Sequence, residues 1–327
     1  MTRYLVTPDL AAPTGGNHYD LRVADGFRLL TVPGSWPRPS AASRAALRDR
    51  LAECPDGSFV LLDGLVACGV PDVVVPHAGR VRLGVLVHLP LADETGLDPA
   101  SAAALDAAER TVLRAASTVV ATSPSTARRL AAHHGLAHVH SVPPGTDPAP
   151  LATGVDGVSA LLVVASLTPR KGHDVLLDAL STLADVPWTC AFVGPSGPAE
   201  PAVRRWCRAR GLGDRVRLTG PLTGAALAAA YDAADLFVLP SRAETFGMVV
   251  TEALARGLPV IASAVPDALD GGGVLVPPGD AAALADALRR WFHDPDHRRD
   301  LRVRAAARRE RLSTWEDCAR LLAAVAG

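Results

Sequence analysis

Two glutamates in the second half of the chain have a type and a spacing suited to binding a polyhydroxylated ligand. Glu244 stands in a loop after a predicted buried strand, and Glu252 stands over a turn further along the helix that this loop opens. A helix rises about 1.5 Å per residue, so the two carboxylates can reach different parts of one ligand. One can contact a sugar while the other accepts hydrogen bonds from ribose hydroxyls. Two surface glutamates at a helix start are the alternative interpretation.

Backbone N–H groups at the same helix start are a second candidate feature. Those of Phe246, Gly247 and Met248 are predicted to point out of the helix. Unpaired donors and the helix dipole both favour a phosphate at such an end. Gly247 has no side chain, so the backbone can approach the ligand closely there. The pattern predicts an anion site.

Adjacent cations in the segment 166–172 suit the same kind of ligand. Arg170 and Lys171 follow a predicted strand at 160–165 and precede a predicted helix. Two cations at the carboxyl end of a strand suit a diphosphate and could neutralise charge that develops on a leaving group. Lys171 is the only lysine among the 33 lysines and arginines, which favours a role for its compact ammonium group. An ordinary basic loop is the alternative.

The first half of the chain offers a glycine pair and a histidine. Gly15 and Gly16 lie in the segment 13–17, after the first predicted strand, where a glycine pair can cradle a phosphate or let an acceptor come close. The segment is not a G-x-G-x-x-G, so dinucleotide binding is not predicted. His88 ends a predicted strand and is a candidate polar contact or proton carrier near neutral pH. A structural histidine is the alternative.

Composition argues against several classes of protein. The chain has 327 residues, of which 49% are hydrophobic, and a formal net charge of −1. That balance favours neither nucleic acid nor an acidic membrane as a partner. The five cysteines show no C-x-x-C spacing, which argues against a zinc site or a disulfide framework. Asp294 and Asp296 form a D-x-D beyond a late predicted helix and are interpreted as a helix-capping turn, so neither a metal nor a cofactor is predicted.

Alternating apolar runs and helical segments must position these side chains. Such alternation predicts parallel sheets covered by helices on both faces. The proline- and glycine-rich segment 143–157 predicts a linker. The expected fold class is therefore α/β, with two doubly wound Rossmann-like domains facing each other across a cleft that gathers the ligands. The predicted parts are an N-terminal domain at 1–150, a C-terminal domain at 151–310 and a tail helix at 311–327.

The sequence predicts neither a leader peptide nor a membrane span. Its start runs straight into an apolar strand, and no apolar run reaches the ~18 residues that a span needs. The cysteine usage fits a reducing compartment, so the expected location is the cytoplasm. Seven arginines between positions 298 and 311 predict a solvated helix face, and weak peripheral contact with a membrane surface is the alternative.

Taken together, these motifs resemble those of the retaining glycosyltransferases of family 4, which have the GT-B fold. The resemblance covers most of the chain and is strongest from 160 to 291. It is most specific at Glu244 and Glu252, which match that family's E-x7-E motif. The segment 274–288 resembles the stretch after that motif, and Trp315 resembles the tail helix that crosses back to the N-terminal domain.

The resemblance implies a role for each residue of the C-terminal domain. Lys171 would bind the donor diphosphate, with Arg170 as its helper, and Glu252 would bind the ribose. Glu244 would contact the donor sugar, and the amides of 246–248 would contact its hydroxyls or a phosphate. A nucleotide-diphosphate sugar is therefore the expected donor and partner.

In the N-terminal domain the resemblance matches Gly15 and Gly16 to a glycine loop that approaches the donor diphosphate. It matches His88 to a histidine after a central strand, which makes His88 a catalytic candidate beside Glu244 and Lys171. The implied reaction is transfer of a hexosyl group to an acceptor hydroxyl, with retention, by front-face attack and without a metal. The acceptor stays open between a sugar, a lipid-linked sugar and a small molecule.

Three departures from the family pattern bear on the expected function. Many relatives carry Gly-Arg where this chain has Ala165 and Ser166, which leaves Arg170 as the candidate replacement. The helix after Gly16 is short, which affects the acceptor side, and Asp267 stands where glutamate is common. Two other functions stay open: a non-catalytic sugar-nucleotide binder, and an epimerase or phosphorylase of the same fold.

Overall fold

Two compact units make up the chain. The computed structural model describes residues 2–9 and 14–327, and position 13 of the predicted glycine segment lies outside the described residues. The first unit comprises Met1–Gly145 and Ser313–Gly327, and the second comprises Thr146–Leu312. The structural borders thus fall at 145 and 312, against predicted domain borders at 150 and 310. Each unit is a parallel β-sheet with helices packed on it.

Six parallel strands form the sheet of the first unit. They are β1 (Arg3–Pro8), β2 (Arg28–Val32), β3 (Phe59–Asp63), β4 (Arg82–Val87), β5 (Thr118–Ala121) and β6 (His140–Ser141). Their order in the sheet is β2-β1-β3-β4-β5-β6. The order reverses direction between β1 and β3. The carboxyl ends of strands at such a switch point are where ligands bind in open α/β sheets.

Within residues 2–9 and 14–145, the described part of the first unit before its border with the second, there are six α-helices. Several begin at a side chain that accepts a backbone N–H of the first turn, as Thr14, Ser40, Asp98 and Ser123 do. Such caps satisfy donors that the helix itself leaves unpaired. The helices are α1 (Gly15–Val23), α2 (Ala41–Ala52), α3 (Gly64–Ala67), α4 (Pro71–Val74), α5 (Pro99–Ala115) and α6 (Pro124–His134).

The second unit has its own sheet of six parallel strands. They are β7 (Ala160–Val164), β8 (Thr189–Val193), β9 (Val216–Gly220), β10 (Leu236–Leu239), β11 (Val260–Ser263) and β12 (Val274–Val276). The order is β12-β11-β10-β7-β8-β9, the strand order of a Rossmann sheet. Its switch point lies between β7 and β10, which pair directly.

Seven helices cover the sheet of the second unit. They are α7 (His173–Ser181), α8 (Glu200–Ala209), α9 (Gly224–Asp232), α10 (Met248–Ala255), α11 (Pro266–Leu269), α12 (Ala281–His293) and α13 (Pro295–Arg309). The carboxylate of Asp294 accepts from the N–H groups of Asp296 and His297, so this D-x-D caps α13 as predicted. Across the described parts of both units, no helix is both long and apolar enough to cross a membrane.

The last helix, α14 (Trp315–Val325), belongs to the first unit. The tail is interrupted before it because Thr314 and Asp317 form a capping box that starts a new helix. The Trp315 ring packs edge-on against His18 and Tyr19 of α1, with ring centroids 5.3 and 5.9 Å away. Trp315 is buried, so α14 is held to the first unit by its first residue. The predicted return of the tail helix to the N-terminal part is confirmed.

The two units have separate hydrophobic cores, built around their central strands. Strands β3 and β10 are buried along their whole length. All their side chains are leucine, valine or phenylalanine except Asp63, the last residue of β3. Buried apolar runs of this kind are typical of strands covered on both faces. A carboxylate at the end of one of them needs a partner, because burial disfavours an isolated charge.

Candidate functional site

The switch point of the second unit gathers most of the residues that the motifs singled out. The loop 165–172 leaves β7, and the loop 240–247 leaves β10, from the same edge of the sheet because the strands are parallel neighbours. Arg170 and Lys171 lie in the first loop, and Glu244 lies in the second. The strands therefore bring the two motifs together although they are over seventy residues apart in sequence.

The two loops hold each other in place through close backbone contacts. Gly172 has φ 65°, and a Cβ there would lie 2.0 Å from the carbonyl oxygen of Pro240, so only glycine fits. The Arg242 N–H donates to the Arg170 carbonyl over 2.8 Å. In the opposite direction, the Arg170 guanidinium donates to the Ala243 carbonyl over 3.1 Å. The geometry of the site is thus set by backbone as well as side chains.

Glu244 is the centre of a buried polar cluster. Lys171 Nζ donates to its Oε1 over 2.5 Å, and the Ser241 hydroxyl donates to the same oxygen over 2.7 Å. Arg170 Nη1 lies 3.5 Å from Oε2. Burial would raise the pKa of Glu244, but the charges of Lys171 and Arg170, with the hydrogen bonds from Lys171 and Ser241, outweigh it and lower the pKa. The carboxylate is therefore ionised at neutral pH.

Positive charge is in excess at this point of the sheet. Lys171 and Arg170 supply two cations against the one carboxylate of Glu244. The neighbouring His173 adds no charge at neutral pH, because its burial and then the charge of Lys171 lower its pKa to about 4. Both cations are largely buried, with side chains 16% exposed. Partly desolvated cations attract an anion more strongly than cations in water.

The start of α10 lies directly after Glu244 and has no side-chain cap. Gly247 occupies the cap position with φ 95°, and a Cβ there would lie 2.6 Å from Val265 Cγ1. Phe246 is buried and Met248 is the first helical residue, so both are held by the packing around this turn. The Val250 N–H donates to the Gly247 carbonyl over 2.9 Å, and the N–H groups that precede it at such a helix start can donate to an external acceptor such as a phosphate or a sugar hydroxyl.

Glu252, which lies on α10, has hydrogen-bonding partners of its own. The Tyr231 hydroxyl donates to Glu252 Oε2 over 2.9 Å, and the guanidinium of Arg256 lies 4.4 Å from the centre of the Tyr231 ring. Burial raises the pKa of Glu252, and the nearby Asp147 adds to this, while Tyr231 and Arg256 act in the opposite sense. One side of the carboxylate is thus fixed by Tyr231, which sequence analysis did not single out.

In the first unit, Gly16 and His88 come together at the other switch point. Gly15 is the first residue of α1, after the cap Thr14, and His88 follows β4. A Cβ on Gly16 would lie 3.1 Å from His88 Cδ2, so the glycine packs on the imidazole. His88 Nε2 lies 2.8 Å from Asp20 Oδ1, and this carboxylate is almost completely buried.

Sequence analysis missed Asp20 and Asp63, the two carboxylates of this part of the first unit. Asp63 directly follows four buried apolar residues of β3, and its strand neighbours the one that His88 follows. A charged residue at the end of an otherwise apolar strand was the available signal. Asp20 gave no comparable signal, because its pairing depends on how α1 packs on the sheet.

Metal-ligating side chains do not cluster at the switch point of the second unit. Among residues 146–312, all of which the structure describes, no three His, Cys, Asp or Glu side chains come close enough to share an ion. The cations beside Glu244 there are Lys171 and Arg170, whereas Arg242 of the same site pairs with Asp174.

Fold and site together define a two-unit protein of the GT-B class, with a parallel, doubly wound sheet in each unit. Residues 155–308 match the family model described as glycosyl transferases group 1. This matching stretch includes both loops of the switch point and α10. The predicted α/β fold class is confirmed.

Comparison with individual proteins agrees with the family match. The chain is 36% identical over 283 residues to D-inositol 3-phosphate glycosyltransferase 1 of Catenulispora acidiphila, an alignment that covers 78% of this chain and 66% of that protein. Alignments with the next two curated relatives cover 41% and 54% of those proteins. The chain therefore matches about two fifths to two thirds of the length of these relatives.

Solved structures show the same fold over nearly the whole chain. Sucrose-phosphate synthase from Thermosynechococcus elongatus superposes with a TM-score of 0.79, at 22% identity, covering 99% of this chain and 98% of that one. Anabaena HepE in complex with UDP and glucose superposes with a TM-score of 0.77, at 18% identity, covering 99% of both chains. At this level of identity the likeness concerns the fold.

Proposed function

We propose that this protein is a retaining glycosyltransferase. It moves a hexosyl group from a nucleotide-diphosphate sugar to an acceptor hydroxyl and uses no metal ion. The observation that carries the proposal is the Lys171–Glu244 contact of 2.5 Å at a Rossmann switch point, with Arg170 beside it and the uncapped start of α10 directly after it. The family match of residues 155–308 supports it independently.

Each part of this site suits one part of the donor. Lys171 and Arg170 bind the diphosphate, and Arg170 takes the place of the arginine that family 4 proteins carry where this chain has Ser166. Glu252 binds the ribose through the carboxylate oxygen that Tyr231 does not occupy. The amides of 246–248 bind a phosphate or the sugar hydroxyls. Glu244 is ionised and accepts hydrogen bonds from the sugar.

Donor binding rearranges the charges around Glu244. In the structure Lys171 donates to Glu244 Oε1. A diphosphate that binds Lys171 competes for this ammonium group and leaves Oε1 to accept from a sugar hydroxyl. The same contact therefore keeps Glu244 ionised before binding and couples the diphosphate to the sugar afterwards.

The transfer step needs an attacking oxygen and a place for its proton. The acceptor oxygen attacks the anomeric carbon on the face that the diphosphate leaves, and the bond between that carbon and the phosphate oxygen breaks. The bonding electron pair goes to the diphosphate, which takes the proton of the acceptor hydroxyl. Lys171 and Arg170 stabilise the charge that develops on the diphosphate, and fixed charges of this kind supply much of the catalytic effect. The products are a glycoside of unchanged anomeric configuration and a nucleoside diphosphate.

The first unit supplies the acceptor side in this proposal. Gly15 and Gly16 allow a close approach to the donor diphosphate, and His88 is the polar side chain beside them. The acceptor belongs to one of three classes, a sugar, a lipid-linked sugar or a small molecule. The reaction takes place in the cytoplasm, a location supported by five cysteines that are all buried and unpaired.

Turnover of labelled donors tests the proposal. The protein is incubated with UDP-, GDP- and ADP-sugars and an acceptor panel that includes inositol 3-phosphate, with and without EDTA. Proton NMR of the product gives its anomeric configuration, and release of nucleoside diphosphate gives the rate. The expected result is a retained product at a rate that EDTA leaves unchanged. An inverted product, a phosphate-dependent reaction, conversion of the donor without an acceptor, or binding without turnover would each contradict it.

A further inference from the structure

A histidine and two carboxylates meet at the switch point of the first unit. Asp20 lies on α1, Asp63 ends β3 and His88 follows β4. One oxygen of each carboxylate and one ring nitrogen of His88 all lie within 4.8 Å of one another. The three residues come from three separate elements, and the function proposed above uses only His88.

The contact with Asp20 determines which nitrogen of His88 can serve a ligand. His88 Nε2 lies 2.8 Å from Asp20 Oδ1, and the ring packs edge-on against Tyr19 with the centroids 5.1 Å apart. Gly16 packs against the ring carbons Cγ and Cδ2 of His88. With Nε2 engaged, Nδ1 is the ring nitrogen left for a substrate.

The second carboxylate changes the charge balance of the cluster. Asp63 Oδ1 accepts from the Leu65 N–H over 2.8 Å. Asp20 Oδ2 is buried and has no hydrogen-bond donor among the described residues. Two adjacent buried carboxylates resist being ionised together, and a proton held by Asp63 would give Asp20 Oδ2 a hydrogen-bond donor. One negative charge then remains, and a protonated His88 balances it.

We propose that Asp20 and Asp63 are positioning residues that hold His88 as an imidazolium, whose Nδ1–H donates a hydrogen bond to a substrate oxygen. His88 then acts as a donor and does not act as a base toward the acceptor. The proposal deepens the transferase function and rests on it for the identity of the substrate. It leaves the acceptor proton to the leaving diphosphate, as front-face transfer requires.

The surroundings of the cluster favour this protonation state. Burial opposes the charged imidazole, but Asp20 and then Asp63 outweigh it and raise the pKa of His88 to about 9. Burial and the neighbouring Asp20 raise the pKa of Asp63 to about 7. Three further titratable groups among the described residues adjoin the cluster and are uncharged at neutral pH, because burial raises their pKa values; they are Tyr19 on α1, Cys68 after α3 and Cys318 on α14.

Histidine NMR on the whole protein tests the proposal without any substrate. The ring nitrogens are observed in protein labelled at histidine, and the His88 signals are assigned by their loss in His88→Gln. We expect both ring nitrogens of His88 to be protonated at pH 7.5, with a titration midpoint near the pKa of about 9. In Asp20→Asn, which keeps a hydrogen-bond acceptor but removes the charge, the midpoint should fall by two pH units or more. Asp63→Asn should lower it by less.

Kinetics add a readout that a purely structural role would not give. In active enzyme, the alkaline fall of kcat/KM should move to lower pH in Asp20→Asn, together with the NMR midpoint. A neutral His88 at pH 7.5, a midpoint unchanged in Asp20→Asn, or a metal ion retained by the wild type and lost in Asp63→Asn would overturn the proposal. Absence of turnover with any donor, beside a protonated His88, would contradict the transferase function and leave the assignment of Asp20 and Asp63 standing.

Discussion

At the scale of single residues, the account depends first on Lys171. This residue is the only lysine among the 33 lysines and arginines of the chain. Its ammonium group, a compact point charge with three donors, joins the two loops by donating to Glu244, and a planar guanidinium differs from it in shape. The same group keeps Glu244 ionised and supplies half of the local positive charge.

Removing the ammonium group should affect both stability and donor affinity. In Lys171→Ala, the largely buried Glu244 loses its closest partner, so the free energy of unfolding should fall by about 1–3 kcal/mol. Donor affinity should fall at least tenfold. Chemical denaturation and donor titration measure the two effects. Arg204→Ala removes an exposed cation that pairs with Glu200 on α8 and serves as the control, with both quantities expected near wild type.

Two substitutions of Glu252 separate its structural contact from its proposed ribose contact. Glu252→Ala leaves the buried Tyr231 hydroxyl without its carboxylate, so the free energy of unfolding should fall by about 1–3 kcal/mol. Glu252→Gln keeps an acceptor for Tyr231, so its free energy of unfolding should stay within about 1 kcal/mol of the wild-type value. Both variants should raise the KM for donor. A donor KM unchanged in both would exclude Glu252 from the donor site.

Asp63 should make the stability of the first unit depend on pH. Its pKa in the fold, about 7, lies above the ordinary value of 3.8. The protonated form is therefore favoured by folding. Its contribution to stability is fully present below pH 3.8 and is lost as pH rises through about 7. Asp63→Asn mimics the protonated form and should lack this loss. The free energy of unfolding, measured by urea denaturation, should therefore differ increasingly between the variant and the wild type from pH 4.5 to 7, and the difference should then level off. A difference that stays constant over this range would contradict the raised pKa.

Some site residues could be predicted from sequence and others could not. Glu244 and Lys171 each follow an apolar run that could only be a buried parallel strand, so their place at the sheet edge follows from topology. Glu252 was recognised, but its partner Tyr231 lies on another helix. Asp20 pairs with His88 across the packing of α1 on the sheet. Such contacts depend on tertiary structure, so no local sequence pattern predicts them.

At the scale of elements, the decisive contact is the approach of two loops at Gly172. In Gly172→Ala, a Cβ would lie 2.0 Å from the Pro240 carbonyl oxygen at a φ of 65°. Gly211 has the same φ with open space around it, so Gly211→Ala measures the backbone strain alone. That control should cost about 1 kcal/mol of unfolding free energy. Gly172→Ala should cost about 1–3 kcal/mol more and weaken donor binding. Equal losses in the two variants, measured by denaturation, would show that the loops are not held together there.

Strands were easier to predict than helices in this chain. Buried parallel strands such as β3 and β10 are continuous apolar runs with clear ends, which makes them visible in the sequence. Helix α2 was not predicted, since Leu47 and Leu51 are the only large apolar side chains that it buries. The tail helix, predicted at 311–327, begins at Trp315 because the capping box at Thr314 starts it there.

At the scale of the whole molecule, the two units repeat one design. Each has a six-stranded parallel sheet, and each places its polar side chains at the switch point of that sheet. The second unit offers an excess of positive charge, whereas the first offers a buried histidine with two carboxylates. In the proposed function the second unit binds the donor, and the first unit supplies the acceptor side.

Donor binding tests the central claim most directly. Thermal stability is measured against UDP-, GDP- and ADP-sugars for the wild type, Lys171→Ala and Glu252→Ala. A ligand at 100 times its Kd adds about 2.7 kcal/mol of stability, which is a shift of several degrees in Tm. The account predicts such a shift with one donor family, lost in both variants and retained in Arg204→Ala. No shift with any donor, or a shift that both variants keep, would contradict a donor site built on Lys171 and Glu252.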